Sequence, residues 1–186
     1  MTPMNRSVIA LSTGALLSAG VLAACSGHTE SPKAPTSIET PESSSATPKA
    51  TGHTGDTLTL TRADGSTIAV TLDSVINPAT VTPAGGDPGA TYIATRLKIT
   101  DPGTTDIDGD VNTNVSVFGS DGQRYGADLN NVSECTNFES GMFHLSPGES
   151  AIGCVVFALP HGVNPTKVRY APSSGFAYDF GEWLLS

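Results

Sequence analysis

Beyond residue 56 of this 186-residue chain, apolar side chains recur at every second position, the period of a strand with one buried face. In residues 67–72 Ile68, Val70 and Leu72 share a face, and in residues 92–100 Ile93, Leu97 and Ile99 share one against Arg96 and Lys98. Residues 111–118 place Val111, Val115 and Val117 on one side of a strand, with Asn112, Asn114 and Ser116 opposite. Residues 151–159 are almost wholly apolar, which predicts a central strand. Asp64-Gly65, Asp121-Gly122 and Pro147-Gly148 fall between these runs and read as tight turns. No window of eleven residues outside the N-terminal leader has convincing helical spacing. The pattern predicts an all-β domain, a two-sheet antiparallel β-sandwich with a closed barrel as the alternative. Residues 77–90, with Pro78, Pro83, Gly85, Gly86, Pro88 and Gly89, read as a long connection and a candidate mobile loop.

The leader has a different pattern. Arg6 is its only charge, residues 8–21 form an apolar core broken by Ser12, Thr13, Gly14, Ser18 and Gly20, and small residues follow. A core of about 14 residues is too short and too weakly apolar to span a hydrocarbon layer of ~30 Å, so residues 1–24 read as a secretory signal. Leu22-Ala23-Ala24-Cys25 resembles the bacterial lipobox. That resemblance implies a diacylglycerol on the Cys25 thiol, cleavage before Cys25 and acylation of the new terminus; the alternative is an ordinary signal peptide with a chance cysteine. Each buried methylene is worth about 0.8 kcal/mol, so two or three acyl chains hold a protein firmly on a membrane.

Residues 26–55 are rich in Ser, Thr, Pro, Ala and Gly, with Ile38 as the only large aliphatic and no aromatic side chain. Such a stretch cannot build a core and reads as a tether, with Ser/Thr-Pro clusters able to accept O-glycans. The expected organisation is a signal over 1–24, a lipidated Cys25 and linker over 25–55, and a folded domain over 56–186. Its 131 residues suffice for a single hydrophobic core.

Charge narrows the partners. The chain has 9 basic and 18 acidic residues, a net charge of −9. Loss of residues 1–24 removes Arg6 and no acid, leaving 8 basic residues against 18 and a charge of −10. No Lys/Arg stripe is present for phosphate contacts, so nucleic acid is excluded as a partner. Anionic headgroups would repel the chain, so membrane affinity has to come from the acyl chains at Cys25.

A family resemblance lies in Leu145-Ser146-Pro147-Gly148-Glu149, Gly153, Val155-Val156-Phe157-Ala158-Leu159-Pro160 and Val168-Arg169-Tyr170-Ala171-Pro172. Gly89-Ala90-Thr91-Tyr92-Ile93-Ala94 and Phe118-Gly119-Ser120-Asp121-Gly122-Gln123-Arg124-Tyr125 add to it. These segments resemble a lipoprotein domain family of unknown function from Gram-positive bacteria and actinobacteria, similar to the mycobacterial immunoprotective extracellular protein. The resemblance spans about residues 57–185 and implies a telokin-like immunoglobulin sandwich. It carries no catalytic or ligand residue across. Where many members have an Asn-Gly type turn after the Tyr92 strand, this chain has Asp101-Pro102-Gly103 and an acidic insertion.

The candidate chemistry is sparse. With Cys25 assigned to lipid, Cys135 and Cys154 remain as a disulfide pair in an oxidising compartment, with free thiols as the alternative. Closing a loop of about 19 residues would contribute roughly 3 kcal/mol in the chain-entropy model. Neither CxxC nor a histidine pair with ligand spacing is present, and no cofactor is expected. Asp106, Asp108, Asp110 and Asn112 alternate with Asp101 upstream, as weak candidates for calcium. Against an EF-hand, Gly109 falls at the fourth position and Val117 at the twelfth; a solvated turn accounts for the same residues. No nucleophile elbow, phosphate loop or zinc-protease motif occurs. His144, Ser120 and Asp121 can be nominated as a triad only in the way any domain allows, so no enzyme is expected. Phe176, Tyr178, Phe180 and Trp183 form either a recognition patch or a cover for the core. The combined expectation is a non-catalytic module, lipid-anchored on the extracytoplasmic face, that contacts a surface protein or a cell-wall component. A calcium- or small-ligand-binding lipoprotein is the alternative, and an undetected hydrolase the third.

Overall fold

The computed structural model describes residues 50–186. In chain order the strands are β1 (Ala50–His53), β2 (Thr57–Thr61), β3 (Thr67–Ile76), β4 (Val81–Thr82), β5 (Ala90–Thr100) and β6 (Ile107–Asp110). One helical turn, α1 (Val111–Asn114), precedes β7 (Val115–Gly119), β8 (Arg124–Gly126), β9 (Asn131–Val132), β10 (Met142–Leu145), β11 (Ser150–Pro160), β12 (Pro165–Tyr170) and β13 (Gly181–Leu184). A four-stranded sheet, β11-β5-β3-β2, is antiparallel throughout, and a five-stranded sheet runs β1-β13-β12-β7-β8. Two short pairs, β6 with β10 and β4 with β9, flank them.

The predicted alternation makes the core. Leu60, Ile68, Val70, Leu72, Leu97, Ile99 and Phe157 from the first sheet meet Val115, Val117, Val168, Tyr170 and Trp183 from the second in one buried cluster. Burial of each such side chain is worth about 1.5–3 kcal/mol, which makes this face the main source of cohesion. The fold is an all-β sandwich. The three predicted turns lie between strands, with Gly65 at φ 85° and Gly122 at φ 78°, a conformation open to a residue without Cβ.

Four details depart from the sequence expectation. β11 is not central but ends its sheet. Its apolar run reflects two covered faces: Val155, Phe157 and Leu159 enter the main core, while Val156 joins Tyr92, Ala94 and Val132 in a second, smaller core. Asp128 and Asn137 bridge to Val156 and Cys154, so the edge of β11 is sheathed. A bulge between Leu72 and Ser74 reverses the inward set of β3, which lets Ile76 serve that smaller core.

Residues 111–114 are helical rather than extended, because Asp110 accepts a hydrogen bond from the Thr113 N–H and caps the turn. Val111 and Val115 lie four apart, a spacing that keeps both buried after either conformation. Asn114 and Ser116 are buried as well, not opposite the core in solvent.

Ala50–His53, inside the stretch assigned to the tether over 25–55, form a strand of the sandwich. β1 lies parallel to β13, with Gly52 opposite Trp183. A Cβ at Gly52 would come within 3.0 Å of the Asp56 side chain, so the strand needs small residues, the composition that also reads as linker.

The connection over 77–90 is stitched down. The Ala79 N–H donates to the Tyr92 carbonyl, the Thr80 N–H to the Glu134 carboxylate and the Asp87 N–H to the Tyr92 hydroxyl, while the His161 Nε2–H donates to the Pro88 carbonyl. The hydrogen bonds from Thr80 hold the Glu134 carboxyl below its ordinary value.

Candidate functional site

The most unusual backbone in the described residues follows β12. Ser173, Ser174 and Gly175 take φ of 56°, 54° and 83°, three left-handed residues in succession. For a residue with a Cβ this conformation costs about 1–2 kcal/mol, so neighbouring contacts must hold it. The holding contacts converge from two sides. The Ser174 N–H donates to Asn114 Oδ1 at 2.6 Å, and the Ala63 N–H donates to Ser173 Oγ at 3.1 Å. Asn114 is buried on α1 and its Nδ2 donates to the Tyr170 hydroxyl at 3.1 Å. Burial pushes the Tyr170 hydroxyl well above its ordinary value, so it stays protonated.

This clamp throws the next residues outward. Phe176 is 83% exposed and Tyr178 97% exposed, whereas Phe180 and Trp183 a few residues later are buried. Asp179 is buried between them; its Oδ2 accepts from the Thr61 N–H at 2.8 Å, and its Oδ1 has no partner. Two hollows flank Tyr178. One of about 200 Å³ includes Arg62, Phe176 and Asp179 in its wall, and one of about 440 Å³ includes Arg124, Arg169 and Phe180. Ala177, Tyr178 and Asp179 belong to both.

The outer face of the five-stranded sheet continues this surface. On β12, Lys167 and Arg169 point away from the core and share Glu182 Oε1 of β13 at 2.9 and 2.6 Å. The Arg169 guanidinium stacks between the Phe118 and Phe180 rings, 4.7 and 4.3 Å from their centroids. Burial alone would raise the Glu182 carboxyl, but hydrogen bonds from Lys167 and Arg169 and their charges hold it below its ordinary value. Arg124, opposite Phe118 on β8, has no carboxylate within ion-pair distance among the described residues.

The other sequence candidates separate. Asp106 precedes β6, Asp108 lies opposite His144 in the β6–β10 pair, Asp110 caps α1, and Asn112 sits against Gly141. Among the described residues, no group of three or more His, Cys, Asp or Glu is placed to hold a metal ion. Asp101 is fully buried, with Oδ1 accepting from the Gly103 N–H and Oδ2 unpartnered. Ser120 Oγ accepts from the Asn164 N–H and Asp121 from Gln123 and Tyr125, while His144 stands on a different sheet. Cys135 and Cys154 form a disulfide. Cys25 lies outside the described residues.

Of the four C-terminal aromatics, then, Trp183 enters the core, Phe180 is buried against Arg169 on the outer face, and Phe176 and Tyr178 stand in solvent. The sequence pattern gives no site role to Asn114, Asp179 or the serine pair. Pro172-Ser173-Ser174-Gly175 does carry a turn signal, but only the fold brings Asn114 to it.

No family model matches the chain, and no curated protein matches it. Among solved structures, the secreted protein MPT63 of Mycobacterium tuberculosis is similar at 20% identity and a TM-score of 0.58, over 76% of this chain and 100% of that one. A candidate lipoprotein of Bacillus subtilis, ycdA, aligns at 12% identity and a TM-score of 0.49, over 64% of this chain and 36% of its own. An uncharacterised β-sandwich protein of Clostridium difficile aligns at 11% identity and a TM-score of 0.43, over 74% and 94%. The first of these likenesses agrees with the sandwich architecture derived above.

Proposed function

We propose that this chain is a non-catalytic recognition module, held on the extracytoplasmic face of the membrane by lipid at Cys25, that contacts a cell-wall component or surface protein through the Phe176–Tyr178 loop. One observation carries the recognition part: two aromatic side chains stand in solvent just after a strained turn that three hydrogen bonds, to Ala63, Thr113 and Asn114, hold in place. Exposed aromatic rings gain nothing for the fold, and a pinned loop loses little entropy when it binds. Aromatic and arginine side chains are also the groups that dominate binding energy at interfaces. The anchor rests on the Leu22-Ala23-Ala24-Cys25 motif and the leader before it. A secreted mycobacterial protein with a similar sandwich is in keeping with an extracytoplasmic address.

The two parts are tested separately. Cys25→Ser is expected to abolish incorporation of labelled fatty acid and to release the protein from the membrane fraction. Phe176→Ala with Tyr178→Ala is expected to leave the protein in the membrane fraction with its melting temperature intact, but to lose retention on isolated cell walls or intact cells. Unchanged retention of that double variant would overturn the recognition reading.

A further inference from the structure

We infer that the Tyr178 loop takes a carboxylate-bearing glycan, a linear chain of sugar rings with acid groups; this rests on the recognition reading above and names its ligand class.

Charge supplies the first argument. Residues 50–186 hold 15 acidic side chains and six basic ones, and three of the six, Arg62, Arg124 and Arg169, border the two hollows beside Tyr178. Arg62 is already paired with Asp64 and Arg169 with Glu182, and the Asp179 carboxylate belongs to both hollows, so the attraction for an anionic ligand here rests on Arg124. Arg124, with no carboxylate partner among the described residues, offers a planar fork that matches a carboxylate.

Shape supplies the second. The hollows share the wall of Ala177, Tyr178 and Asp179, so a ligand that fills both crosses the Tyr178 ring. A ring with its π face open suits the C–H face of a sugar, whose hydrogens carry the opposite partial charge. A peptide is the poorer fit. It would bind most readily as an added strand on β2, the neighbouring sheet edge, but the Thr61 N–H there is already taken by Asp179.

The test titrates the full-length protein in detergent micelles with three probes: an oligogalacturonide, a neutral chito-oligosaccharide, and a Glu/Pro-rich peptide of matched charge. The oligogalacturonide is expected to bind, more weakly as salt rises, with Arg124→Gln and Tyr178→Ala each weakening it at least about tenfold at unchanged melting temperature. Equal binding of the neutral oligosaccharide overturns the role given to the carboxylate. Binding of the peptide alone, lost in the same two variants, overturns the glycan and leaves the recognition module standing. Binding of no probe, or binding that neither variant alters, overturns both.

Discussion

Two aromatic pairs a few residues apart have opposite fates. Phe180 and Trp183 are buried, and the Trp183 indole N–H donates to the Asp56 carbonyl at 2.9 Å. Phe176 and Tyr178 stand in solvent. The difference is set by backbone, not by hydrophobicity. From Gly181 onward the chain pairs with β12 and β1, and the pleat turns Trp183 inward beside Val168. Before Phe180 it leaves the left-handed turn at Ser173–Gly175 and has no strand partner. Aromatic content alone therefore says nothing about core or surface; the clamp at Asn114 does.

That contrast is breakable in graded steps. Trp183→Ala removes the largest fully buried side chain and should cost about 3–5 kcal/mol in denaturant unfolding, with a correspondingly large fall in melting temperature. Asn114→Ala strips the donor from the Tyr170 hydroxyl and the acceptor from the Ser174 N–H, and should cost about 1–3 kcal/mol. It should also free the turn, read as faster protease cleavage near residues 173–178 than in the parent protein.

A pH measurement sharpens the comparison from the β13 side. Glu182 is held below its ordinary value of 4.5, so its pairing with Lys167 and Arg169 stabilises the fold fully above that pH. The contribution fades as pH falls through the lowered folded value. Glu182→Gln should lower stability by about 1 kcal/mol near neutrality and flatten the acid limb of the stability curve. An acid limb that keeps its slope in the variant would show that Glu182 is not a source of it. The smallest effect belongs to the exposed pair. Phe176→Ala and Tyr178→Ala should each move stability by no more than about 0.5 kcal/mol, measured in the same unfolding assay.

The sequence made the sandwich legible because alternation at Ile68, Val70 and Leu72, and at Leu97 and Ile99, reports one buried face directly. The position of β11 was not legible, since an apolar run shows that two faces are covered and not what covers them. β1 escaped because its small residues carry no hydrophobic signal, and α1 because valines four apart suit a helix and a strand alike. The candidate surface was half legible. Its aromatic residues stand in the sequence, but the clamp joins Asn114 to Ser174 across 60 positions, and Asp179 reaches Thr61 across 118. Contacts of that range leave no local pattern.

On the reading proposed above, Tyr178 meets a partner. A photo-crosslinking amino acid placed at position 178 of the full-length protein in living cells tests it, with the same group at Leu129, another open position at 83% exposure, as the control. The account predicts a reproducible adduct from position 178 that position 129 does not give. Indistinguishable labelling from the two positions would contradict it.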